Sequence, residues 1–168
     1  MTEVEWWEYD DADEMAAAVA GDVGFLIEQA LEARGDAVVA FPGGTTPVGS
    51  FARLAKARLG WKNVTIIPTD ERLVPMTDPL SNVRLLAAQF LPVGARVVPL
   101  AGAKVMEPEG AARVANDMLA NLHWPLDLVW LGVGADGHTA SIFPGPDYEA
   151  ALTSSGRVVG VRPDPLPT

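Results

Sequence analysis

Short apolar runs alternate along the chain with longer stretches in which apolar residues recur at helical spacing. The short runs predict strands, at residues 4–9, 37–41, 64–67, 97–100, 126–131 and 157–161. The longer stretches predict helices, one capped by Asp10 or Asp11 and ending at Arg34, and others over 47–59, 82–90 and 108–122. The runs 37–41, 64–67 and 126–131 are apolar enough to predict strands buried on both faces. The alternation therefore predicts a single α/β domain, 1–168, with a mostly parallel sheet flanked by helices.

The composition restricts the class of protein. The 168 residues suffice for one domain with a sizeable core, and 49% of them are hydrophobic. No apolar run approaches the roughly 20 residues of a membrane-spanning helix. The net charge of −10 disfavours nucleic acid and anionic membranes as partners. The chain has no cysteine and no basic N-terminal leader, so we expect a cytoplasmic protein. As a separate expectation, the protein is a monomer or weak dimer.

The turn after the strand 37–41 has the features of a phosphate site. Gly43 and Gly44 follow the strand, Thr45 or Thr46 is predicted as a helix N-cap, and Pro47 as the first helical residue. Backbone N–H groups at the positive end of a helix, next to hydroxyls, suit phosphate. No lysine follows at the Walker spacing, so a nucleoside triphosphate is not expected. An ordinary strand-to-helix turn would give the same pattern, and both interpretations stay open.

A second polar segment, TDERLVP at 69–75, follows the strand 64–67. Asp70 lies just past the strand, and Arg72 carries a planar guanidinium that suits phosphate. In isolation such a run is typical of a surface turn with a solvated Glu–Arg pair. Its position favours function, because the carboxyl ends of parallel strands meet at one edge of the sheet. Arg84 could add a second cation, although an arginine there is more often solvated helix surface.

The glycine-rich segment GVGADG, 132–137, follows the apolar run 126–131 and matches G-x-G-x-x-G. A dinucleotide fold is rejected because the motif lies late in the chain and Pro144 leaves little room for a long helix. No strand with an acidic end appears about 20 residues further on. We interpret Gly134 and Gly137 instead as residues of a turn that lets the backbone approach a ligand.

His138 is the candidate catalytic group of this segment. An imidazole can take a proton from water, and Asp136 two residues earlier can orient the ring. A histidine that caps a helix or packs in the core is the alternative interpretation. Ser141 lacks a nucleophile-elbow context. Two histidines without cysteine or H-x-x-x-H spacing do not predict a zinc site.

Three ordered motifs together resemble the 6-phosphogluconolactonase family. They are FPGGTTP, TDERLVP with a following Ser81-Asn82, and LDLVWLGVGADGHTASIFPG. The resemblance covers the chain from residue 1 to its end. It implies a modified Rossmann-like sheet related to those of glucosamine-6-phosphate deaminases and ribose-5-phosphate isomerases. It also implies hydrolysis of 6-phospho-D-glucono-1,5-lactone in the pentose phosphate pathway, with neither metal nor other cofactor.

The resemblance also implies roles for residues. Phosphate would be cradled by Gly43, Gly44 and Thr45 and clamped by Arg72. The sugar pocket would be lined by Asp70 and Asp136, with His138 as the general base on water. Further possible substrate contacts are Thr46, Arg84, Gly134 and Gly137.

One departure from the family concerns the end of the chain. Members of the family continue past the point that corresponds to Thr168, with a strand, a helix and a phosphate-binding lysine. Pro163, Pro165 and Pro167 predict an extended loop there, so a C-terminal part of the domain is expected to be missing. Two rival functions stay open: an activity like that of glucosamine-6-phosphate deaminase, and a sugar-phosphate-binding domain without catalysis.

Overall fold

The computed structural model describes residues 4–102 and 107–163, so the loop predicted at Pro165 and Pro167 lies outside the described residues. The helices are α1 (Ala12–Arg34), α2 (Val48–Leu54), α3 (Asn82–Phe90), α4 (Pro108–Leu119) and α5 (Tyr148–Thr153). The strands are β1 (Ala37–Phe41), β2 (Val64–Pro68), β3 (Arg96–Val97) and β4 (Leu128–Val129), with a 3₁₀ turn at Trp61–Asn63. Within the described ranges the strands form one parallel sheet in the order β3-β2-β1-β4. The predicted α/β fold class is confirmed.

The first helix forms where its caps predict it. Asp11 is the N-cap, and its carboxylate accepts hydrogen bonds from the amides of Asp13 and Glu14, both at 2.8 Å. Gly35 ends the helix at φ 84° and donates its N–H to the carbonyl of Leu31 at 2.8 Å. The six buried residues of α1 recur at helical spacing, and the helix packs on α2 and β1.

The core surrounds the central strand. All five residues of β1 are buried, and the strand pairs with β2 from Ala37–Val64 to Phe41–Pro68. The ring of Phe41 lies 5.5 Å from that of Phe51 and 5.6 Å from that of Phe90, all three with no exposed surface. Burial of each such ring stabilises the fold by about 1.5–3 kcal/mol relative to an exposed ring. The turns that follow β1 and β2 therefore start from a closely packed base.

A carboxylate helps to hold the strand β4 at the sheet edge, beside its backbone hydrogen bonds to β1. Only Leu128 and Val129 pair with β1. Just before them, Asp127 accepts a hydrogen bond from the amide of Val38 at 2.8 Å and another from the Arg34 guanidinium at 2.5 Å. Asp127 thus joins β4 to β1 and to the end of α1.

Two predicted strands are wrong. Residues 4–9 form no strand, and Trp6 and Trp7 are 89% and 59% exposed. Residues 157–161 form no strand either. The side chain of Asn116 bonds the amides of Arg157 and Val158 and the Val158 carbonyl instead of a neighbouring strand. An apolar run becomes a strand only where a partner strand lies beside it.

Other predicted elements are shorter than expected. The run 126–131 gives only the two residues of β4, which are half-buried and exposed rather than buried, and Leu131 is 50% exposed. β3 covers Arg96–Val97 rather than 97–100, and α2 and α4 end at Leu54 and Leu119. Neither Thr45 nor Thr46 caps α2, whose N-cap is Pro47 without a side-chain bond. No helix within the described residues is long and apolar enough to cross a bilayer.

Candidate active site

The candidate residues follow the carboxyl ends of three neighbouring strands. The turn after β1 comprises residues 42–47 and is called the first turn below. The segment after β2 comprises 69–75, and the turn after β4 comprises 132–139 and is called the second turn. Because β1, β2 and β4 are parallel, all three segments leave the sheet at the same edge.

The first turn contains two glycines with different roles. Gly44 has φ 85° and open space around it, so glycine is required there by the backbone. A Cβ at Gly43 would lie 1.9 Å from Oδ1 of Asn82, so glycine is required there by space. Thr45 and Thr46 are exposed at the same turn, with hydroxyls that the cap of α2 does not use.

Arg72 is oriented by neutral groups. Its Nη1 donates to the carbonyl of Leu80 at 2.8 Å and to Oδ1 of Asn82 at 3.3 Å. Within the described residues no carboxylate forms a salt bridge with its guanidinium. The solvated Glu–Arg pair is therefore wrong as an interpretation of this run. A guanidinium held this way keeps donors for an anion.

Glu71 has a different partner, the start of α3. Its carboxylate accepts hydrogen bonds from the amides of Asn82 and Val83 at 2.8 and 2.7 Å and from the Ser81 hydroxyl at 3.2 Å. A carboxylate at a helix N-terminus is stabilising because it satisfies free amides there. The exposed side chain of Arg84 forms no hydrogen bond with the other candidate residues among those described.

The second turn is folded on itself. The amide of Gly134 donates to the His138 carbonyl at 2.8 Å, and the amide of Gly137 donates to the Gly134 carbonyl at 2.9 Å. Gly137 has φ 87°, whereas a Cβ at Gly134 would lie 2.3–2.4 Å from the His138 ring. Here too one glycine turns the chain and the other makes room for a side chain. Both amides are already bonded within the turn, so they are not free donors.

His138 and Asp136 form a close pair. Nδ1 of His138 lies 2.5 Å from Oδ1 of Asp136, and the ring lies 4.5 Å from that of Phe143. The hydrogen bond from His138 holds the pKa of Asp136 below its usual value. Since a carboxylate only accepts, Nδ1 carries the shared hydrogen, and Nε2 of the neutral ring keeps a lone pair. The imidazole side chain is 29% exposed, so a water molecule can reach it.

Sequence reasoning missed a hydrogen-bonded chain that joins these segments. The Ser141 hydroxyl, just after the second turn, donates to Oδ2 of Asp70 at 2.6 Å. Oδ1 of Asp70 accepts from Nδ2 of Asn82 at 3.0 Å, and Asn82 contacts Arg72. The sequence signal that could have pointed to Ser141 and Asn82 is that both lie within the quoted motifs. The partners are 71 and 12 positions apart, so no local pattern pairs them.

The site lies on an open edge of the described residues. The cleft beside Ser141 and Phe143 has a volume of about 10 Å³, far too small for a sugar phosphate. A larger groove of about 300 Å³, next to Gly35 and Asn63, lies at the opposite, amino end of the strands. We therefore assign the candidate site from the geometry of the side chains in the three segments rather than from a cavity. Within the described ranges, no three His, Asp or Glu side chains are grouped to hold a metal ion.

Comparison with known proteins agrees with the sequence motifs. Residues 10–168 match the family described as glucosamine-6-phosphate isomerases/6-phosphogluconolactonase. A 6-phosphogluconolactonase of Mesorhizobium japonicum is 42% identical over 159 residues, covering 92% of this chain and 66% of the relative. One of Rhizobium meliloti is 44% identical over 140 residues, covering 82% and 60%. The chain thus spans 60–66% of the length of these curated relatives, less than two thirds.

Solved structures share the fold. The crystal structure of a 6-phosphogluconolactonase from Shewanella baltica superposes with a TM-score of 0.90 at 32% identity, over 95% of this chain and 70% of that one. A monomeric glucosamine-6-phosphate deaminase superposes with a TM-score of 0.68 at 22% identity, over 79% and 56%, which shows the fold alone. Together with the family match, these likenesses show that the chain belongs to the family of glucosamine-6-phosphate isomerases and 6-phosphogluconolactonases.

Proposed function

We propose that this chain carries the hydrolytic site of a 6-phosphogluconolactonase and cleaves the ester of 6-phospho-D-glucono-1,5-lactone. The observation that carries the proposal is the placement of the His138–Asp136 pair and Arg72 at one edge of the sheet, joined through Ser141, Asp70 and Asn82. The names of the relatives supply the substrate. The monomer or weak dimer and the cytoplasmic location expected from the sequence stay predictions.

Binding begins with the phosphate in this proposal. The free donors of the Arg72 guanidinium and the first turn, with Gly43, Gly44 and Thr45, hold the phosphate oxygens. Thr46, exposed in the first turn, and Arg84, exposed in α3, remain possible contacts. Anchoring the far end of the substrate places the lactone carbonyl near His138, which removes much of the entropic cost of the encounter.

The chemical step is attack of water on the lactone carbonyl carbon. Nε2 of His138 takes a proton from the water as its oxygen bonds to carbon, while Asp136 stabilises the imidazolium. The bond from carbon to the ring oxygen then breaks, and the proton passes from His138 to that leaving oxygen. The product is the open-chain acid. Asp70 accepts hydrogen bonds through both carboxylate oxygens, so its role is to line and brace the site.

The test is acid release from 6-phosphogluconolactone at mildly acidic pH, where the uncatalysed reaction is slower. We expect His138→Ala to lower kcat by about 10²–10⁴-fold, the usual contribution of a general base. His123→Ala, which changes an exposed histidine, is the matched control and should retain full activity. A kcat in His138→Ala equal to that of the unaltered protein would remove the base assignment.

A second variant separates binding from chemistry. Arg72→Ala should raise KM by about tenfold or more and leave kcat little changed, because its ionic hydrogen bonds form in both ground and transition states. Ammonia released from glucosamine 6-phosphate would favour the deaminase reaction instead. A rate equal to the protein-free blank, with a melting temperature raised by 6-phosphogluconate, would favour a binding domain.

A further inference from the structure

Asn82, the first residue of α3, is almost completely buried, with 2% of its surface exposed. Its Oδ1 accepts from Nη1 of Arg72 at 3.3 Å. Its Nδ2 donates to the carbonyl of Asp70 at 2.8 Å and to Oδ1 of Asp70 at 3.0 Å. The carboxamide therefore offers an acceptor to a cation and donors to an anion at the same time, which few side chains can do.

The first turn is shaped around the same carboxamide. A Cβ at Gly43 would lie 1.9 Å from Oδ1 and 2.3 Å from Cγ of Asn82, closer than any real contact. The φ of Gly43 lies outside the left-handed region, so its backbone conformation would accept alanine. The glycine is thus required by Asn82 rather than by the turn itself.

Hydrogen bonds at the start of α3 fix the position of Asn82. Its amide donates to Oε1 of Glu71 at 2.8 Å, and α3 starts at the Ser81 N-cap, which accepts from the Arg84 amide at 3.2 Å. The backbone of α3 therefore holds the carboxamide, and the carboxamide holds the neighbouring side chains. Beyond it, Asp70 accepts the Ser141 hydroxyl at 2.6 Å, which carries the connection to the segment that includes His138.

We infer that Asn82 is the positioning residue of this site: it orients the Arg72 guanidinium and, through Asp70 and Ser141, sets the spacing between that guanidinium and His138. The inference rests on the proposed function for the identity of the ligand. It assigns no contact between Asn82 and the reacting atoms. Loss of the carboxamide frees Arg72 and loosens the link to the His138 segment, so both substrate binding and turnover suffer.

The kinetic test compares Asn82→Ala with Asn116→Ala. Asn116 also ties separate segments through its carboxamide, to Ala112, Arg157 and Val158, but lies outside the site. Asn82→Ala should raise KM for the lactone, and the Kd for 6-phosphogluconate, by about tenfold, the size of one hydrogen bond to a charged group. Asn116→Ala should leave both constants unchanged per folded molecule. Equal constants in all three proteins would overturn the inference.

A double-mutant cycle tests the role of Gly43. Gly43→Ala should push the carboxamide away and raise KM about as much as Asn82→Ala does. In the Asn82→Ala background the same change should have little further effect, because the group it displaces is gone. If the fold-increases in KM of the two single variants multiply in the double variant, Gly43 acts independently of Asn82 and the inference is overturned. The Gly43→Ala single variant leaves Asn82 in place, so an unchanged KM in that variant would overturn the inference even if Asn82→Ala folds poorly.

Hydrogen exchange separates the inference from the proposed function. In the unliganded protein, Asn82→Ala should raise amide exchange in peptides that cover 136–143, whereas Asn116→Ala should raise it near 154–160. Unchanged exchange at 136–143 in Asn82→Ala would overturn the inference even in an active enzyme. A protein without lactonase activity whose exchange follows the expected pattern would instead refute the proposed function alone.

Discussion

The first and second turns serve the same edge of the sheet but have different support. The first turn leaves β1, a buried strand paired on both sides, and Asn82 packs against its Gly43. The second turn leaves a two-residue strand next to exposed Leu131 and Val133. It depends on its own hydrogen bonds and on a connection from Ser141 to Asp70.

The first and second turns therefore differ in how they are stabilised. The first turn, the proposed anchor for phosphate, starts from the buried core strand β1, so we expect it to be formed before ligand arrives. The histidine lies on a segment that can open locally at low cost, because few buried apolar contacts hold it. We therefore expect changes in the second turn to reduce turnover more than melting temperature, and changes in the first turn to do the reverse.

Among the changes that compare the two turns, the largest effect is expected from Gly134→Ala. A Cβ there would displace the His138 ring, from which it would lie 2.3–2.4 Å. A misplacement of about 1 Å can cost roughly 10²-fold in rate, so kcat should fall by about that factor. Gly132→Ala is the matched control, since a Cβ there meets nothing within 4 Å. Equal losses in the two variants would show that any added methyl group in the second turn is harmful.

Ser141→Ala should have the next largest effect. It removes the hydroxyl that joins the His138 segment to Asp70. Because the link lies next to the proposed base rather than the proposed phosphate site, kcat should fall about tenfold with KM little changed. Ser154→Ala removes an exposed hydroxyl that accepts a hydrogen bond from the Gly156 amide, and should have no effect on turnover. A rise in KM alone would place Ser141 on the phosphate side of the site.

The left-handed glycines should separate the two turns by thermal unfolding. Gly44→Ala forces alanine to φ 85°, which costs about 1–2 kcal/mol and should lower the melting temperature by roughly 2–4 °C per kcal/mol. Gly137→Ala carries the same strain at φ 87° but can relax with its turn, so the decrease should be smaller. Gly21→Ala lies within α1, where an added Cβ meets no atom within 4 Å, and should raise the melting temperature. A larger decrease for Gly137→Ala would reverse the comparison.

The smallest effect concerns the pH dependence of the second turn. The hydrogen bond from His138 lowers the pKa of Asp136 in the folded protein. The ionised carboxylate therefore contributes fully to the stability of the folded state above about pH 4, and this contribution is lost as pH falls through the lowered pKa. The carboxyl carbon shift of Asp136, followed by NMR, should titrate at lower pH than in His138→Ala. The same midpoint in both proteins would mean that the pair does not persist in solution.

Much of the fold could be predicted from the chain because its signals are local. Asp11 and Gly35 delimit α1, and the apolar run of β1 was placed correctly. The runs 4–9 and 157–161 were wrong, since a strand needs a neighbour that a local pattern does not reveal. Even the strand 126–131 was overestimated, because its burial depends on what covers the edge of the sheet.

The candidate site likewise has features that the local sequence predicts and contacts between distant residues that it does not predict. The positions of His138 and Arg72 at strand ends followed from the alternation of elements. The reason for glycine at position 43 did not, because the clash partner, Asn82, belongs to another element. Nor did the bond between Ser141 and Asp70, which joins residues 71 positions apart. The roles of these residues in turnover stay predictions until the variants are measured.

The strand order has a consequence for synthesis of the protein on the ribosome. β1, β2 and β3 are neighbours in the sheet, and all of them precede β4 in the chain. At about 5–20 residues per second, the N-terminal part can begin to fold some seconds before β4 emerges. The segments that follow β1 and β2 can thus fold before His138 is synthesised, and the hydrogen bond between Asp127 and Val38 then joins β4 to a sheet already in place.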